Sequence, residues 1–81
     1  MTYNLEQYNN LESDEQHNLV FTKGYFVDYY IKEEKRYSMY SLFKFFVEVE
    51  YSVTQNKIVN LVAFQEGKLL ERYYIVTDLK Y

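Results

Sequence analysis

The chain has 81 residues, no cysteine, and 12 acidic against 9 basic residues, which gives a net charge of −3. This length predicts a single domain, residues 1–81, and the lack of cysteine excludes a disulfide framework and thiolate metal sites. The acidic balance, with no long run of one sign, argues against tight non-specific binding to nucleic-acid phosphates.

Burial of apolar side chains therefore has to stabilise the domain. The composition allows this, because 48% of the residues are hydrophobic and 21% are aromatic. The start, MTYNLE, carries no basic targeting segment. No apolar run approaches the roughly 20 residues that a membrane helix needs. These features predict a cytoplasmic protein that does not enter a membrane.

The first two predicted elements are helical. Residues 1–12 place apolar side chains three apart, which predicts a helical or a flexible arm. Ser13 and Gln16 fit a capping box, so a helix is predicted to begin at Ser13. It is predicted to end at Lys23, where Gly24 would supply a left-handed cap.

After Gly24 the pattern changes to alternation, and the residues become β-branched and aromatic. The predicted strands are Tyr25–Lys32, Arg36–Leu42, Phe45–Val53 and Asn56–Gln65. The short breaks between them predict an antiparallel meander. Gly67–Tyr74 predicts a short amphipathic helix, followed by an extension or a tail. The predicted fold class is α+β: an N-terminal helix, a four-stranded antiparallel β-meander and a short C-terminal helix.

Two-residue turns at Glu34-Lys35, Phe43-Lys44 and Thr54-Gln55 would give all four strands one shared apolar face. The predicted core face contains Val27, Tyr29, Ile31, Tyr40, Leu42, Phe45, Val47, Val49, Tyr51, Ile58, Val62 and Phe64. The predicted opposite face contains Phe26, Asp28, Tyr30, Tyr37, Met39, Ser41, Phe46, Glu48, Glu50, Val59, Leu61 and Ala63.

Catalytic chemistry has few candidates in this sequence. Glu48 and Glu50 would lie roughly 7 Å apart on one strand face, a separation found in carboxylate pairs of glycosidases. Alternating glutamates are more typical of the solvated side of a strand. His17 is the only histidine, and a helical surface position explains it without a metal. With two glycines a phosphate-binding loop is excluded. We expect no enzyme activity, no cofactor and no metal site.

The mixed face instead suggests a surface for a protein partner. Its aromatic and methionine side chains suit interface anchors, and its carboxylates would steer towards a basic patch. The predicted contact residues are Phe26, Asp28, Tyr30, Tyr37, Met39, Phe46, Glu48 and Glu50. Two alternatives stay open: stacking of single-stranded nucleic acid on the aromatic rings, which the carboxylates disfavour, and a homodimer. Terminal helices could also cover this face.

Six short segments can be compared with known sequences: LVFTKG (residues 19–24), YSL (40–42), FFVEV (45–49), NKIV (56–59), AF (63–64) and LLERY (69–73). In this order they resemble segments of a group of small uncharacterised bacterial proteins of Bacteroidota. The group often has an aromatic residue where this chain has Glu50. The resemblance implies the α+β layout and a cytoplasmic bacterial setting, and it implies no activity.

The function predicted from these features is that of a small non-catalytic interaction module. Such a module would bind and modulate, by inhibition, a larger intracellular protein or nucleoprotein. Small acidic proteins without a cofactor also include inhibitors of bacterial defence systems, such as anti-CRISPR proteins, although that likeness is one of class only.

Overall fold

The computed structural model describes residues 2–65, which form two helices followed by a four-stranded antiparallel sheet. The helices are α1 (Leu5–Asn9) and α2 (Ser13–Lys23). The strands are β1 (Tyr25–Lys32), β2 (Lys35–Leu42), β3 (Phe45–Ser52) and β4 (Lys57–Phe64), and they follow chain order across the sheet. The predicted sheet with a helix before it is confirmed. The predicted helix Gly67–Tyr74 lies outside the described residues.

The capping box belongs to α1 rather than to α2. The Gln7 backbone N–H donates to Asn4 Oδ1 over 2.8 Å, and the Asn4 N–H donates to Gln7 Oε1 over 2.9 Å. At α2 the capping position is Glu12, whose side chain makes no capping hydrogen bond. The predicted capping box at Ser13 is therefore wrong, because Ser13 already lies inside the first turn, although the helix begins there as predicted.

Gly24 ends α2 for a reason other than the predicted one. Its backbone is extended, with φ −79° and ψ 154°, so the predicted left-handed cap is wrong. A Cβ atom built on Gly24 would lie 2.4 Å from the carbonyl oxygen of Val20. The chain thus needs glycine here because it leaves the helix in close contact with the last turn.

The two helices lie on one side of the sheet, which we call the helix face. The buried core between the helices and the sheet contains Tyr8, Val20, Leu42, Phe45, Val47 and Val49. The Tyr8 ring packs against the Phe45 ring at a centroid distance of 5.3 Å. Tyr8 also joins the helices, since its hydroxyl donates to the Gln16 carbonyl over 3.0 Å and Gln16 Nε2 donates to the Tyr8 carbonyl over 2.9 Å.

The register between β2 and β3 is the predicted one, with Leu42 opposite Phe45 and Tyr40 opposite Val47. The turn between β1 and β2 comes one residue earlier than predicted, at Glu33-Glu34. Tyr29 consequently faces Ser38 instead of Tyr40. This slip of two positions keeps Tyr29 on the helix face.

Two irregularities in strand pairing break the single apolar face that three two-residue turns would produce. One lies between Phe26 and Asp28 in β1, and the other follows the Tyr51–Ile58 pair, which is itself as predicted. Beyond that second irregularity, Phe46 faces Phe64. Each bulge inserts one residue, so the side chains beyond it exchange faces. Val62 and Phe64 thereby leave the predicted core face, and Leu61 and Ala63 pack there instead.

Candidate interaction surface

The sheet side turned away from the helices, which we call the second face, carries most of the predicted contact residues. Across the strands, Asp28 faces Met39, and Met39 faces Glu48. The predicted contact residues that share this face are Asp28, Tyr30, Tyr37, Met39, Phe46, Glu48 and Glu50. The structure therefore brings seven of the eight together.

Phe26 is the exception, and its predicted placement is wrong. The bulge at Val27 sets Phe26 opposite Tyr40, on the helix face. The two rings meet edge to face, with centroids 5.9 Å apart. Alternation alone could not predict this, because the extra residue sits inside an otherwise regular strand.

Several side chains on the second face are buried rather than exposed. Met39 is 3% exposed and packs with Phe64, against which Tyr30 and Phe46 also pack. The rings pair with each other: Tyr30 stacks on Tyr37 at 4.8 Å, and Phe46 stacks on Phe64 at 5.8 Å. These stacks cover one side of each ring, which leaves less ring surface for a base or for a partner than the sequence alone predicts.

The two glutamates of β3 occupy different environments. Glu48 is 4% exposed. Glu50 is half-buried and accepts a hydrogen bond from Lys35 Nζ over 2.7 Å, and this bond raises the pKa of Lys35. Neither glutamate lines the cavity of about 510 Å³ beside Tyr3 and Phe43. A general acid and a general base must both reach the same bound substrate. Glu48 and Glu50 do not do so in this cavity, because neither of them lines it.

His17 lies on α2, where its Nδ1 atom is 2.8 Å from the Ser13 carbonyl oxygen, one helical turn earlier. Over residues 2–65, no group of three His, Cys, Asp or Glu side chains is placed to hold a metal ion. His17 is half-buried, and a bond to its own helix accounts for its position.

A surface that the sequence did not predict runs along β1. Five large apolar side chains are exposed on β1 and a sixth, Phe21, at the end of α2, by between 45% for Val27 and 78% for Tyr25. We call this set the apolar edge, and it consists of Phe21, Tyr25, Phe26, Val27, Tyr29 and Ile31. Among the described residues β1 is an outer strand of the sheet. The apolar edge therefore lies at a margin of the sheet that the described residues form.

Ring contacts join three members of the apolar edge, Phe21, Phe26 and Tyr29, through Tyr40. Phe21 at the end of α2 meets Tyr40 at a centroid distance of 5.7 Å, and Tyr40 meets Phe26 at 5.9 Å. Phe26 in turn stacks on Tyr29 at 6.5 Å. Because Tyr40 is half-buried, it supports the exposed rings on either side of it.

Val27, Tyr29 and Ile31 are exposed although the sequence placed them in the core, so that prediction is wrong. Within residues 2–65, the two helices are too small to cover the sheet. With 5 and 11 residues, they offer about 24 Å of helix about 10 Å wide, or roughly 240 Å². A sheet of four eight-residue strands presents roughly 500 Å² on each face. Comparing helix length with strand number would have revealed the shortfall.

No protein-family model, curated protein or solved structure matches the chain. The resemblance to small Bacteroidota proteins accordingly stays a prediction. In the described part of the chain, no helix has the length and apolar character required to cross a membrane.

Proposed function

We propose that this chain is a non-catalytic interaction module that docks on a larger protein through the apolar edge. The observation that supports this most is the set of six exposed large apolar side chains, three of which are joined by ring contacts through Tyr40. At roughly 150–200 Å² for a fully exposed side chain of this size, they present on the order of 600 Å². Monomeric proteins rarely expose an apolar patch larger than a few hundred Å² unless the patch binds something.

Tyr25 and Phe26 are the proposed anchors because they are large, aromatic and exposed by 78% and 57%. Aromatic side chains dominate binding energies at interfaces. The contacts of Phe26 with Tyr40 and Tyr29 hold its ring before a partner arrives. Such pre-organisation reduces the entropy that binding costs.

Charge favours a basic partner over an acidic one, since the chain carries a net charge of −3. On the second face, Glu48 is buried and Glu50 forms an ion pair with Lys35. We therefore place the proposed contact on the apolar edge rather than on the second face. Inhibition is the form of modulation that we propose, by blocking a surface of the partner, as anti-CRISPR proteins do. This comparison is again one of class.

The test is a comparison of two single substitutions of exposed apolar residues. Phe26→Asp places a charge in the centre of the apolar edge, whereas Val53→Asp changes a residue that is 43% exposed in the turn after β3. Tagged wild-type and variant chains are used to capture proteins from the cell that encodes the chain, followed by mass spectrometry. Circular dichroism establishes that both variants fold.

We expect at least one protein to be captured by the wild type and by Val53→Asp and to be lost with Phe26→Asp. Equal capture by all three chains would refute the apolar edge as the docking surface. The nucleic-acid alternative is tested by fluorescence anisotropy with a labelled single strand at low salt. A salt-sensitive rise in anisotropy that Phe26→Asp leaves unchanged would favour that alternative.

A further inference from the structure

We propose that residues 66–81 pack across the second face and that Arg72 forms an ion pair with Glu48 there. The inference concerns a surface other than the apolar edge, so it goes beyond the proposed function and can fail without it. The chain would then close the second face by itself, which leaves the apolar edge as the surface that a partner reaches.

Two side chains in the middle of the second face are almost completely buried. Met39 in β2 is 3% exposed, and Glu48, opposite it in β3, is 4% exposed. The described helices pack on the other side of the sheet, and the described residues that cluster around Met39 all belong to strands. Neighbouring rings can cover Met39 from the sides, but a carboxylate on an open sheet face would turn towards water. The burial of Glu48 therefore requires a cover that residues 2–65 do not supply.

Further contacts on the second face point to the same cover. Four residues of this face have a further polar, electrostatic or ring interaction, namely Asp28, Tyr30, Tyr37 and Glu48. The cross-strand neighbours of Glu48 are Met39 and Val62, which carry no charge. Lys35, a cation of the same face, pairs with Glu50. Because a buried carboxylate is stable only with a cation or a hydrogen-bond donor beside it, we expect the cover to bring a cation to Glu48.

The segment that follows β4 has a suitable sequence. β4 ends at Phe64, which packs on the second face, so the residues after it begin beside that face. Residues 66–81 read EGKLLERYYIVTDLKY, and the helix predicted for Gly67–Tyr74 would place Leu69, Arg72 and Tyr73 on one side. A helix of this length is about 12 Å long, whereas neighbouring strands lie about 4.8 Å apart. It is thus long enough to extend from β4 over β3 to β2.

Arg72 suits Glu48 better than the other cations of the segment. It is the only charged residue between Leu69 and Tyr73 on that side of the predicted helix, whereas Lys80 lies outside the predicted helix. A guanidinium group is more weakly hydrated than an ammonium group and can donate two parallel hydrogen bonds to one carboxylate. These properties make arginine the favoured partner of a buried acid.

A double-mutant cycle in the whole chain tests the ion pair. Arg72→Gln would leave a buried carboxylate unpaired, so Tm should fall by roughly 10 °C or more. Adding Glu48→Gln should restore part of this loss, so the effects of the two substitutions should not add. Lys80→Gln is the matched control and should shift Tm by no more than roughly 4 °C. Additive effects at positions 48 and 72 would overturn the inference.

Thiol reactivity tests the cover by a second route, since the natural chain has no cysteine. Met39→Cys places a thiol at a site 3% exposed, and Val53→Cys places one at a site 43% exposed. Under native conditions the first should react with a thiol reagent at least about tenfold more slowly than the second. Adding Tyr73→Asp should remove this protection, whereas Tyr74→Asp, on a different side of the predicted helix, should preserve it.

Equal reaction rates for Met39→Cys and Val53→Cys would overturn the cover. Protection that increases with protein concentration would assign the cover to a second copy and would overturn the inference as well. Neither result bears on the capture experiment with Phe26→Asp, so the proposed function would stand or fall separately.

Discussion

Replacing Gly24 with alanine should destabilise the domain through one contact. The added Cβ would lie 2.4 Å from the Val20 carbonyl oxygen, where ordinary contact begins at 3.4 Å, so one of the two has to move by about 1 Å. Val20 has little freedom, because its side chain is fully buried and its carbonyl accepts the Gly24 N–H over 3.0 Å. Overpacking of this kind costs about 1–3 kcal/mol, and 2 kcal/mol corresponds to a fall in Tm of roughly 8–16 °C.

Thermal and urea unfolding, followed by circular dichroism, measure this change. Lys23→Ala is the control, since it alters the neighbouring exposed residue in the last turn of the helix. Gly24→Asn separates two explanations: asparagine tolerates a left-handed cap, but its Cβ meets the same carbonyl oxygen. We expect asparagine to cost at least as much as alanine. If asparagine were tolerated while alanine was not, the close-contact explanation would be refuted.

Three further predictions concern pH, turn geometry and salt. Burial raises the pKa of Tyr8 to about 12. The contribution of the protonated hydroxyl to stability is therefore complete below the unfolded pKa of 10.0 and is lost as pH rises from 10.0 to about 12, by up to about 2.7 kcal/mol. Urea unfolding across this range should therefore show a steeper loss for the wild type than for Tyr8→Phe; equal slopes would contradict the burial. Glu33 has φ 56°, which asparagine tolerates better, so Glu33→Asn should raise the free energy of unfolding by about 0.5–1 kcal/mol, whereas a lower Tm would count against strain at this turn. Glu50→Gln removes the ion pair with Lys35 and should lower Tm slightly at low salt and less at high salt; a difference independent of salt would show that the pair contributes no charge interaction.

The central hairpin could be predicted from the sequence in detail. In FFVEVEY, alternation and the short break at Phe43-Lys44 determine both the strand and its register with β2. Phe45, Val47 and Val49 are buried as predicted. The two glutamates of this strand lie on one side only. A shift of the register by one residue would turn them towards the core and expose the buried residues, so only one register is favourable.

For the outer strands, β1 and β4, the sequence predicts where each strand lies in the chain but not its register, because the register depends on bulges. A bulge in β1 moved Phe26 to the helix face, and one after Tyr51 moved Phe64 to the second face. β4 carries apolar residues on each side, as in KIVNLVAF, so a shift by one residue moves no carboxylate and leaves no trace in the hydrophobic pattern. In β1 the bulge comes before Asp28, so the only charge in the middle of the strand keeps its predicted face. The apolar edge cannot be read from alternation for this reason, and also because its exposure depends on how much of the sheet the helices cover.

The order of the strands also bears on how quickly the domain assembles. Each strand pairs with the one next to it in sequence, and the turns are short. Contacts between near neighbours in sequence close small loops, and proteins rich in such contacts fold faster than those whose strands pair over long distances. β1 can thus join β2 as soon as both have been synthesised. The backbone groups of β1 that face β2 are then paired early, which limits the aggregation that unpaired strands promote during folding.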